Sequence, residues 1–85
     1  MTYTVRWKQS ALNDLASLWT AADSTGRREI TPAAHAIDQQ LQADPDDLGE
    51  SRPGGRRVFF VPPLGVLYRV DVTRGVVRVL QVLLF

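Results

Sequence analysis

The chain has 85 residues and a mass of 9.5 kDa, enough for one compact core and no second domain with a cleft of its own. It has no cysteine, which excludes a disulfide scaffold, a thiolate metal site and a cysteine nucleophile. The net charge of +1 is split unevenly: residues 1–50 carry four basic and eight acidic groups, residues 51–85 six arginines against Asp71 alone.

Residues 3–8, Tyr-Thr-Val-Arg-Trp-Lys, alternate with period two, which predicts a half-buried strand with Tyr3, Val5 and Trp7 on one face. Ser10 stands where an N-cap belongs, and Leu12, Leu15, Leu18, Trp19 and Ala22 follow at helical spacing. Residues 23–26 read as a turn. Ile30, Ala33, Ala34, Ile37 and Leu41 then form a second helical stripe ending near Ala43. Pro32 allows two readings, a helix capped by Thr31 or a longer helix from about Arg27 kinked at the proline. Residues 44–56 form the one long irregular segment. From Arg57 onward the chain is strand-like: one strand stopped by Pro62-Pro63, a second over residues 65–72, a turn at Thr73-Arg74-Gly75, and a last strand to the end. That strand is apolar on both faces, so it is expected at the centre of the sheet. The order β-α-α-β-β-β predicts an α+β fold with the helical hairpin packed as a layer on one face of the sheet. The N-terminus has no secretory h-region and no run approaches the ~20 residues of a membrane span, so the expectation is a cytoplasmic protein without membrane contact.

The arginines of the second half are the residues to explain. Arg69 points opposite to Tyr68 and Val70, hence away from the helices if those two are core. A guanidinium there can grip a phosphate with two donors and stabilise charge developing in phosphoryl transfer; the plain alternative is an ion pair with Asp71. Arg56 and Arg57 point to opposite faces, so only one joins Arg69; the expectation is Arg57. Arg78, expected on the same side as Leu80, Val82 and Leu84, needs solvent or an anion. His35 is the lone histidine and makes no metal site, and no cofactor is expected.

The stretch Asp44-Pro45-Asp46-Asp47-Leu48-Gly49-Glu50-Ser51-Arg52, the arginine-led strand after it and Tyr68-Arg69-Val70 in the next strand, taken with the order of elements, make the whole chain resemble the RelE/ParE superfamily, the toxins of type II toxin–antitoxin modules. The resemblance implies a four-stranded antiparallel sheet with two helices on one face and a concave basic face opposite. It implies a cognate antitoxin as partner, and as action either RelE-like cleavage of messenger RNA on the ribosome or ParE-like inhibition of DNA gyrase without catalysis. An inactive binding module of the same fold is a further alternative. In the RNA-cutting reading the catalytic candidates are Arg69, Arg57 and Glu50, and the substrate-binding candidates Arg56, Arg78 and Phe85. The C-terminal Leu83-Leu84-Phe85 departs from the basic and aromatic pair of RNA-cutting relatives, and cleavage through a ribose hydroxyl needs one group to take a proton and one to give it. Arginine suits neither role; Glu50 is the one carboxylate in reach. The apolar last strand suggests an oligomer interface as well.

Overall fold

The computed structural model describes residues 2–84. Seven elements follow one another: β1 (Thr4–Trp7), α1 (Gln9–Ala21), α2 (Ser24–Ala43), β2 (Glu50–Arg52), β3 (Arg56–Val61), β4 (Leu64–Asp71) and β5 (Val76–Leu84). The class is α+β, as the sequence order requires, but the sheet has five strands, in the order β1-β5-β4-β3-β2. The added strand, β2, is three residues from the segment read as irregular. It carries no apolar alternation, because it is an exposed edge held by pairing to β3 alone. The sheet is also mixed: β1 runs parallel to β5, since two helices rather than a hairpin separate it from the strands that follow.

Both helices cover one face. Ala11 from α1 and Ile30, Ala33, Ile37 and Leu41 from α2 form one buried cluster with Leu64, Val66 and Tyr68 of β4 and Val77, Val79 and Val82 of β5. The period-two pattern of β1 puts Val5 and Trp7 against this cluster, and the Trp7 Nε1 donates to Asp38 Oδ1 at 2.8 Å. α1 starts one residue before Ser10 and has no side-chain cap. The predicted turn at 23–26 is instead a cap and first helical turn, with Asp23 accepting from the Gly26 N–H at 2.7 Å. Pro32 lies inside α2, as the longer-helix reading allowed. Arg27 closes the joint between the helices. It donates to the Trp19 and Thr20 carbonyls in the last turn of α1, while its guanidinium lies 4.4 Å over the Trp19 ring.

A bulge between Leu67 and Tyr68 pairings decides the outer face. Leu67 pairs with Gln81 but Tyr68 with Val79, leaving Leu80 as the extra residue. Beyond it the parity of β5 reverses, so Val82 is buried with Val79 rather than sharing the face of Arg78 as strict alternation predicts. Gly49 enters β2 at φ +65°, and a Cβ there would stand 2.0 Å from the Val58 carbonyl oxygen. Gly49→Ala combines a left-handed backbone worth about 1–2 kcal/mol with an overlap against backbone that has no rotamer to move. A fall in chemical-denaturation midpoint with an unchanged m-value is the expected result.

Candidate functional site: an arginine row across the sheet

Strand registers place five arginines side by side. Arg6 of β1 is directly opposite Arg78 of β5; Arg78 is opposite Arg69 of β4, Arg69 opposite Arg56 of β3, and Arg56 opposite Arg52 of β2. Directly paired residues share a face, and this row lies on the face away from the helices, since its β4 and β5 neighbours Tyr68, Val77 and Val79 are buried. At about 4.8 Å per strand the row crosses the sheet over roughly 19 Å. Like charges directly opposite one another repel, and there is little to offset them: among the described residues the only carboxylate paired to the row is Glu50, 3.2 Å from Arg52 at the edge.

What the row has instead is positioning. The Arg69 guanidinium donates to the Gly54 carbonyl at 3.0 Å, and the Arg56 Nε to the Pro53 carbonyl at 3.0 Å. The loop before β3 therefore holds two adjacent forks in place without neutralising them. Gly54 and Gly55 both have positive φ, which lets this tight loop aim its carbonyls at the row. The alternative of an Arg69–Asp71 ion pair does not occur; Asp71 caps the Arg74 N–H at 3.0 Å and lies 3.8 Å from the Arg74 Nε. At the β1 end the row opens into a groove of about 1200 Å³ lined by Arg6, Lys8, Arg69, Arg74 and Arg78, with Asp71 the one acid in its wall.

Of the residues named from sequence, Arg56, Arg69 and Arg78 are brought together. Glu50 stands on the same face but on the edge strand, two strands from Arg69 and engaged with Arg52. Phe85 lies outside the described residues. Arg57 is on the opposite face: β3 starts at Arg56, so the pairing Arg57↔Tyr68 turns Arg57 toward the helices. There its Nε and Nη2 donate to the Leu48 and Gly49 carbonyls at 2.9 and 3.2 Å. Arg57→Met keeps the aliphatic stem and removes these bonds, and is expected to lower stability by about 1–3 kcal/mol while leaving the arginine row unchanged. Retained toxicity at low temperature together with a lower melting temperature would check this. Sequence reading passed over Arg6 and Arg52. The signal for Arg6 was present, since it alternates away from Val5 and Trp7, but the strand beside which it would stand was not legible.

Residues 5–83 match the model of the ParE toxin of the type II toxin-antitoxin system, parDE. The chain belongs to this toxin family. No curated protein sequence matches it. Among solved structures it is similar to the RelBE2 toxin–antitoxin complex of Mycobacterium tuberculosis, with a TM-score of 0.80 at 23% identity over 100% of both chains. It is similar also to the free E. coli toxin RelE, at TM-score 0.68 and 17% identity over 96% of this chain and 82% of that one. The chromosomal ParDE system of P. aeruginosa gives TM-score 0.66 and 19% identity over 95% and 94%. At these identities the likeness shows the fold. Family and fold together make this ParE-family chain the toxin of a type II module, with a cognate antitoxin as its partner.

Proposed function

We propose that this toxin works through its arginine row as a clamp on a polyanionic target and breaks no bond, acting in the cytoplasm as a gyrase-directed poison on the gyrase–DNA complex. The observation that carries the reading is the composition of the row: five guanidiniums in register, with no histidine or tyrosine among them and the two carboxylates beside it already engaged, Glu50 with Arg52 and Asp71 with Arg74. A guanidinium grips phosphate with two fixed donors but does not exchange a proton near neutral pH, so such a surface binds a backbone and lacks the acid–base pair that ribose-directed cleavage needs. The ParE family match points the same way. One observation favours the RelE-like alternative, cleavage of messenger RNA on the ribosome: Arg56, Arg69 and Arg78 do stand on adjacent strands of one face.

The test is inducible expression without a partner, followed by growth, ribosome-bound messenger integrity and plasmid supercoiling. Growth arrest with intact messenger and relaxed or cleaved plasmid is the expected result. Arrest with messenger cut at ribosomes would replace this reading by the RelE-like one.

A further inference from the structure

Helix α1 carries two hydrophobic stripes. Ala11 is buried, and Leu15 and Leu18 pack against the core on the same side. One position around the helix, Leu12, Ala16 and Trp19 point to solvent, and Leu12 and Trp19 are each 43% exposed. The single stripe read from the sequence is therefore two, and the second contributes nothing to the core. Arg27 fixes one end of it. Its guanidinium lies 4.4 Å over the Trp19 ring and is itself bonded to the Trp19 and Thr20 carbonyls at 2.9 and 3.1 Å. The indole is thus held in place in solvent, a ready anchor for a contact. The rim of the stripe is uncharged: Gln9, Ser10, Asn13, Ser17 and Thr20 are all exposed. Asp14, the one charged residue of α1, is turned to β5, where it accepts from the Val82 N–H at 3.2 Å. A surface helix ordinarily presents charges on the side away from the core. Here that side is neutral along its whole length of about 20 Å, with a leucine and a tryptophan in it.

We infer that this face of α1 joins two copies of the toxin, which pair through antiparallel α1 helices about a two-fold axis beside Ala16. The pattern is self-complementary. Leu12 and Trp19 lie about 10 Å apart along the helix, on either side of Ala16. Reversing one helix sets Leu12 of each copy beside Trp19 of the other, as an isologous contact requires. Ala16 falls at the crossing, where a side chain no larger than a methyl lets two helix axes approach. Charge selects the same occupant. A neutral rim does not repel its own image, and it offers a charged partner nothing complementary. The opposite face of the sheet, with its arginines in register, resists self-association. The last strand, whose apolar sequence suggested an interface, lies between β1 and β4 in the sheet. Pairing through α1 leaves both arginine rows uncovered, because helices and row occupy opposite faces, so the inference stands whatever the row binds. The contact is small. Two helices of this length cover well under the ~800 Å² per partner of a standard interface, which sets a dissociation constant on the order of 10–100 µM.

The test is sedimentation equilibrium of the purified full chain from micromolar to millimolar concentration, with Ala16→Glu and Ala16→Lys as variants. Ala16 is exposed, so both substitutions leave the core untouched, and both residues are good helix formers; circular dichroism checks that each variant keeps the fold. The parent is expected to rise from the 9.5 kDa monomer toward twice that mass. Each variant alone brings two like charges together at the axis and should weaken association by about tenfold or more. An equimolar mixture of the two should associate again, and salt should weaken that mixed dimer, because the two-fold axis sets the new glutamate against the new lysine. Leu12→Gln, at the end of the stripe, should weaken the parent dimer without any change of charge. A parent that stays monomeric to millimolar concentration overturns the inference. So does a parent dimer that Ala16→Glu leaves intact, which would place the contact elsewhere, and so does a mixture of the Glu and Lys variants that remains monomeric while the parent pairs.

Discussion

Arg78→Thr is expected to make the protein more stable and less toxic at the same time. Arg78 sits between Arg6 and Arg69, so its removal relieves two directly opposed like-charge pairs. Each such pair is worth about 0.2–1 kcal/mol, giving a gain of about 1 kcal/mol. Threonine keeps the strand propensity, so little is lost locally, and the Arg78 side chain makes no hydrogen bond or ion pair with the described residues that would be forfeited. For a domain of this size a gain of 1 kcal/mol raises the melting temperature by about 4–8 °C. Toxicity should fall, because the row is interrupted between Arg6 and Arg69. A rise in melting temperature with reduced growth inhibition is the signature of a site kept at the expense of stability. A neutral or lower melting temperature would mean that the arginines are already screened by solvent, and unchanged toxicity would remove Arg78 from the working face.

Tyr68→Ala is expected to remove a large part of the folding stability. The Tyr68 side chain is fully buried at the centre of the core, and its hydroxyl lies 2.9 Å from the carbonyls of both Pro45 and Leu48. Truncating a buried aromatic costs about 3–5 kcal/mol, against a total stability of roughly 0.05–0.15 kcal/mol per residue. It also releases the segment between α2 and β2, where Arg57 holds the same Leu48 carbonyl from the other side. Tyr68→Phe separates the two effects: it keeps the packing and should cost about 1–3 kcal/mol, since the Pro45 carbonyl loses the hydroxyl while the Leu48 carbonyl keeps its bond from Arg57. Denaturant titration of the two variants against the parent measures both. A pH prediction follows from the same residue. Burial pushes the phenol above its ordinary value of 10.0, with Arg57 pulling it partly back. Because the folded state holds the phenolic proton more tightly than the unfolded chain, its contribution is fully present below pH 10 and is lost as pH rises through and above that value. Tyr68→Phe should flatten that alkaline loss; an unchanged alkaline limb would assign it to other groups.

Much of this molecule was legible in the chain because local periodicity carries it. The alternation in Tyr3–Lys8 fixed which side of β1 faces the core, and the stripe Ile30–Leu41 identified the buried side of α2. The neighbours of Arg69 placed it on the outer face, where it is found exposed. The resemblance carried by the Asp44–Arg52 stretch, the arginine-led strand after it and Tyr68-Arg69-Val70 agrees with the family match over residues 5–83. These are properties of one segment at a time, and the sequence contains each segment whole.

The tertiary structure decided what lies beside what. Whether Arg56 or Arg57 joins Arg69 turns on where β3 begins, a one-residue shift that moves a side chain to the opposite face. Whether Val82 is core or surface turns on a single bulge residue, Leu80. β2 has no pattern of its own, because an exposed edge strand buries nothing and exists through its hydrogen bonds to β3. The arginine row needs all of these at once: Arg6 and Arg78 become neighbours only because β1 inserts in parallel beside β5, across 71 positions of sequence. Side-chain direction is set by short-range stereochemistry and can be read from a chain. Register between strands is set by the packing of the whole sheet, and the arginine row of this toxin is a product of register.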